Sequence, residues 1–159
     1  MNNARIQEVT WFFAACLAGA GVIHLGLKAL DVQFGLFFGI GTFSLNFTIG
    51  LFFVPFVAGV VVAFIYGLGA KIIAHFPPLM VMIPTYLSLN DAVLPEGYSV
   101  LPFGYWILTL IVAAEFCALG GFAGEAFVKK IYGRTPPDKI HQRYKTSIKD
   151  RVNIKQGSS

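Results

Sequence analysis

Residues 34–70 run for 37 positions without one charged side chain. As a single straight helix they would reach about 55 Å, against a bilayer hydrocarbon core of about 30 Å. The run is too apolar for a water-exposed surface and too long for one crossing, so it must be interrupted.

Two interruptions offer themselves. In GTFSLNFTIG (41–50), Thr42, Ser44, Asn46 and Thr48 alternate with apolar residues between glycines. Further on, Pro55 in FFVPFV lacks the N–H that a helix interior uses. The first break makes 34–46 a short interfacial or re-entrant piece, followed by a span over 47–74 and a proline-rich span over 76–90. The second break makes two spans, about 34–53 and 55–74, that meet near Pro55, with 76–102 as an external loop. The spacing favours the second, because residues 79–83, flanked by Pro78 and Pro84, are too few to cross alone.

The rest of the chain agrees on class. Of 159 residues, 56% are hydrophobic and 13% charged, against about 25% charged in soluble domains. The expected fold is an all-α integral membrane protein of about four transmembrane helices, one of them broken or re-entrant. The first span covers about Val9 to Leu30, and its small-residue middle, AACLAGAG (14–21), suits close approach of another helix. A signal peptide cleaved after Ala18-x-Ala20 fits less well, because apolar character continues through Leu30. The last span runs from about Phe103 to Val128, with Tyr98, Tyr105 and Trp106 as an aromatic belt where it begins.

Charge sets orientation. Nine of the twelve Lys and Arg lie in residues 129–159; net of Asp138 and Asp150 this segment carries +7, leaving −3 elsewhere. A basic segment directly after a hydrophobic helix marks the cytoplasmic side, so both termini are expected there, in the cell membrane. The chain divides into a transmembrane helical domain (1–131) and a basic tail (132–159). In the tail, Ile140, Tyr144, Ile148 and Val152 recur every four residues, with Lys139, Arg143, Lys145, Lys149 and Arg151 on the other faces. That pattern predicts a short amphipathic helix resting on anionic lipid headgroups or on a soluble partner. The basicity reflects topology and does not call for nucleic acid.

No GxGxxG, P-loop, HExxH or Ser-His-Asp arrangement is present, and Cys16 and Cys117 stand alone inside apolar segments. No catalytic residue, metal ligand set or cofactor is evident; bound lipids are expected.

The functional handle is VAAEFCALGGFAGEAF (112–127), a lipid-like segment that carries Glu115 and Glu125. Glu115 lies nine residues beyond Trp106, about 13 Å into the bilayer. A charge at that depth costs at least about 2.5 kcal/mol, so a partner is expected. On a helical wheel, Ala113, Cys117, Gly120 and Gly124 form a small-residue packing seam with a GxxxG spacing. Glu115 falls on the opposite side with Leu108, Ile111, Leu119, Phe122 and Ala126. His24 matches Glu115 in depth under this topology, making an intramembrane polar pair that would share a proton or bind an ion. Lys71 and His75 fall at a membrane edge in both topologies. Glu125, four residues before Lys129, is expected at the inner surface as a helical ion pair.

Two contact faces on the last helix, a basic tail and no complete catalytic set predict an accessory or structural subunit among other membrane protein subunits. The alternative is a small oligomeric transporter or channel coupled to protons or ions through Glu115.

Overall fold

The computed structural model describes residues 3–89, 93–94 and 96–132. The tail, including Lys139, Arg143, Lys145, Lys149 and Arg151, lies outside the described residues. Helix α1 covers Asn3–Ala29, α2 Leu45–Tyr66, α3 Ala70–Ile73, α4 Phe76–Leu89 and α5 Phe103–Tyr132. Strands β1 (Leu36–Phe37) and β2 (Ser99–Val100) pair antiparallel, Leu36 opposite Val100. Among the described residues four segments are long and apolar enough to cross a membrane: Glu8–Ala29, Gly39–Tyr66, Ala70–Leu89 and Phe103–Ile131. The protein is therefore a multi-pass helical membrane protein. The end of α5 that carries Lys129 and Lys130 is called the inner end below.

The long uncharged run breaks at its polar stretch and not at Pro55. Residues Gly41–Phe43 form a 3-10 turn, and Ser44 then adopts an extended conformation (φ −70°, ψ 168°) that starts α2. The Ser44 Oγ accepts the Phe47 N–H at 3.2 Å, and Thr48 Oγ1 donates to the Ser44 carbonyl. Asn46 Nδ2 donates to the carbonyl of Leu30, tying the start of α2 to the end of α1. The alternating polar residues are thus a helix N-terminus, satisfying donors that would otherwise be orphaned. Pro55 is buried inside α2 without ending it, as membrane helices tolerate when neighbours cover the freed backbone.

The proline-rich stretch, expected as an external loop, is instead the third span. Pro77 and Pro78 sit in the first turn of α4, where their missing N–H groups have no intrahelical role. With α3 the span lengthens to the 20 residues Ala70–Leu89, about 30 Å and enough to cross. The expectation that residues 79–83 had to cross alone failed because the proline pair opens a helix here.

Small residues bring α2 and α5 into contact. A methyl group at Gly59 would overlap the Cys117 carbonyl oxygen, and one at Gly120 would overlap the Phe56 carbonyl oxygen. At Gly124 it would press on Ala63 and Val60, and at Gly121 on Ala74 at 3.0 Å. In α1, Ala15 and Cys16 are buried. A Cβ at Gly19 would lie 2.7 Å from Val62 and 2.8 Å from Pro77, and one at Gly26 would lie 2.6 Å from Val54.

At the outer end, the Leu101 N–H donates to the Gly35 carbonyl at 2.8 Å, and Tyr86 OH donates to the Leu101 carbonyl at 3.0 Å. Tyr86 stacks on Trp106 with ring centroids 4.2 Å apart. Trp106 is consequently buried and supports the bundle, whereas Tyr98 and Tyr105 are exposed. Of the expected aromatic belt, only the tyrosines face outward.

Gly120→Val should force the two backbones apart and destabilise the bundle by more than about 3 kcal/mol, because backbone cannot move aside as a side chain can. Gly104→Ala, with nothing near its Cβ position, should leave stability unchanged. Heating in detergent with a thiol-reactive dye reads both, since Cys16 and Cys117 are buried until unfolding.

Candidate functional site

Helix α5 has two faces with different tasks. Ala113, Cys117, Gly120 and Gly124 are buried, and the three from Cys117 onward border α2. Leu108, Ile111, Glu115, Leu119, Phe122 and Ala126 are all exposed on the outer surface of the bundle. The small-residue seam is therefore used within the chain, and the Glu115 face is left for the surroundings.

Glu115 opens onto a shallow groove of about 310 Å³ between α5 and the α3–α4 junction. Lys71, Ile72 and His75 form one wall; Glu115, Ala118, Leu119 and Phe122 form the other. His75 belongs to the third span and not to a membrane edge, because α3 and α4 together cross. Its Nδ1 lies 3.1 Å from the Ile72 carbonyl, so the ring is oriented by that contact. Among the described residues, no hydrogen bond or ion pair reaches the Glu115 carboxylate, the one ion pair being that of Glu125 with Lys129. The groove collects one carboxylate, one ammonium and one imidazole at a surface otherwise built for lipid.

His24 is elsewhere. It lines a cavity between α1 and α4 at the outer end, together with Trp106. Glu115 lies about 13 Å further along α5 than Trp106, at 1.5 Å per residue. His24 and Glu115 border different cavities.

Glu125 was expected at the inner surface beside Lys129, and that ion pair is present at 3.8 Å. Its larger role was missed. The carboxylate is 95% shielded, at 5% exposure, and Oε1 accepts the N–H groups of Gly69 at 2.8 Å and Lys71 at 3.0 Å. These are orphan donors at the start of α3, where Gly69 takes a left-handed conformation (φ 94°) and offers no side-chain cap. The signal was in YGLGAK (66–71): a helix start preceded by glycines, without Ser, Thr, Asp or Asn, needs its acceptor from elsewhere.

Among the described residues no group of three or more His, Cys, Asp and Glu side chains is placed to hold a metal ion. Compared with known proteins, the chain matches no family model, and neither a curated protein nor a solved structure is similar to it.

Glu125→Ala should strand two buried N–H groups and destabilise the bundle by about 3 kcal/mol, whereas Glu125→Gln, which keeps an acceptor oxygen, should lose less than half of that. Lys129→Ala should change stability by less than about 1 kcal/mol, since its ammonium is half exposed. Thermal midpoints of the three variants in one detergent decide the ranking.

Proposed function

We propose that this chain is a small non-catalytic subunit of a larger complex in the cell membrane, docking through the outward face of α5. The observation that carries this reading is the exposure of Glu115 in mid-span. Ionisable residues inside membranes face a bundle interior or a water-filled cavity because lipid offers them no partner. Here the acid is exposed at the outside of its own bundle, so a neighbouring transmembrane helix supplies the interior. The groove beside it adds Lys71 and His75 as further polar contacts. A basic tail, in sequence the most charged part of the chain, suits a second contact with anionic headgroups or a soluble partner at the inner surface.

A second reading, proton- or ion-coupled transport by a homo-oligomer, has one observation in its favour: Glu115 and His75 border the same groove. It requires a copy of this chain, and not a different subunit, against α5.

A photo-crosslinking side chain at Leu119 separates these. Adducts with a different membrane polypeptide support the subunit reading, adducts of twice the chain mass support the homo-oligomer, and lipid adducts alone overturn both. Leu17, equally exposed on α1, is the control and should capture lipid. Glu115→Leu should abolish the protein adduct at Leu119 while shifting stability by less than about 0.5 kcal/mol, because the side chain has no polar contact within the bundle.

A further inference from the structure

The cavity that holds His24 has a chemistry of its own. It measures about 370 Å³ and lies at the outer end between α1 and α4. Its floor is buried and apolar to aromatic, formed by Leu27, Phe34, Met82, Tyr86 and Trp106. Its rim is polar and carries both signs of charge. On the α1 side stand His24 and Lys28, one helical turn apart and both exposed. On the α4 side stand Thr85 and Ser88. Thr85 Oγ1 donates to the Val81 carbonyl at 2.7 Å and Ser88 Oγ to the Thr85 carbonyl at 2.7 Å. Each hydroxyl has thus spent its single proton on the helix, and only its lone pairs remain to face a ligand. Asp31 completes the rim. It holds a left-handed conformation (φ 53°) at the turn that ends α1, with its N–H donated to the Lys28 carbonyl. Aspartate is among the few residues other than glycine that take this conformation readily.

The rim therefore offers donors and positive charge at His24 and Lys28, and acceptors at Asp31, Thr85 and Ser88. A simple anion would leave Asp31, Thr85 and Ser88 without partners, and a simple cation would leave Lys28 without one. A zwitterion satisfies both. The depth is that of a bilayer interface, where the zwitterions at hand are phospholipid headgroups. The chain also leaves a track for the hydrocarbon. Gly21 lies within about 20° of Lys28 around α1, roughly two turns closer to the membrane centre, and nothing occupies the space where its Cβ would be.

We infer that this cavity binds a phosphatidylethanolamine-type lipid. The phosphate lies on Lys28 and His24, the primary ammonium on Asp31, Thr85 and Ser88, and an acyl chain passes over Gly21. The ammonium is needed as a hydrogen-bond donor, so a trimethylated choline headgroup fits the charges but not the acceptors. The inference stands apart from the subunit reading, because it concerns a different cavity, between α1 and α4.

The test is native mass spectrometry of the full chain, delipidated in mild detergent and titrated with phosphatidylethanolamine, phosphatidylcholine or phosphatidylglycerol of matched acyl chains. One phosphatidylethanolamine should be retained, in preference to each of the others by roughly tenfold, the worth of one charge-assisted hydrogen bond. Lys28→Gln and Asp31→Asn should each remove that preference. Asparagine keeps the left-handed turn, and the thermal midpoint of each variant checks that the fold is intact. Equal retention of the three lipids, or an undiminished preference in both variants, overturns the assignment. Free phosphoethanolamine binding as well as the lipid would also overturn it, in favour of a soluble zwitterion.

Discussion

The backbone contact between α2 and α5 governs the rest of the bundle. Inside a bilayer no hydrophobic gain separates helix from lipid, so association rests on close packing. Gly59 and Gly120 supply it by removing the side chains that would hold the backbones apart, each facing a carbonyl of the other helix. Once α5 is committed to α2 along Cys117, Gly120 and Gly124, its opposite side has no place within the chain. The exposure of Glu115 follows from that commitment. So does the position of α3, which reaches α5 at Gly121 because there too no side chain intervenes.

The membrane class and the faces of α5 were legible because both depend on composition and periodicity alone. An uncharged run longer than any crossing announces a break, and a 100° wheel sorts glycines from leucines without knowing what they touch. The place of the break was harder. Pro55 and the stretch around Ser44 are both interruptions by local rules, and the choice turns on whether a neighbouring helix covers the proline. That is tertiary information. Ser44, by contrast, carries its own cap in the Phe47 N–H, and a capping serine was the stronger signal. The proline pair at 77–78 misled for the related reason that the same residue ends one helix and opens another. Only its position relative to the preceding turn separates these roles.

The site was less legible than the fold. Depth along a helix can be counted from sequence, but the zero of that count cannot, since it depends on how far each span is shifted against its neighbours. Counting residues alone paired His24 with Glu115. In the structure the two residues border different cavities. His75 was displaced in the opposite sense, from a membrane edge to the groove of Glu115, as soon as α3 and α4 became one crossing. Glu125 shows a further limit. Its partners are backbone groups 56 and 54 residues away, and backbone N–H groups leave no mark on the sequence except the absence of a local cap.

The two carboxylates of α5 sharpen what remains. Ten residues separate them, which turns the second by about 80° and moves it about 15 Å along the axis. That turn takes Glu125 into the buried stripe of Gly121 and Val128, where α3 presents two unpaired N–H groups. The acid there is explained by the chain itself. Glu115 has no such explanation: a leucine in its place would disturb no hydrogen bond among the described residues and would spare the bilayer at least about 2.5 kcal/mol. A residue that costs the isolated bundle without a hydrogen bond in return is the reason the proposed docking face is placed on this side of α5. The chain folds around α2 and α5, and the outward side of α5, with Glu115 exposed on it, is the face the bundle itself leaves unused.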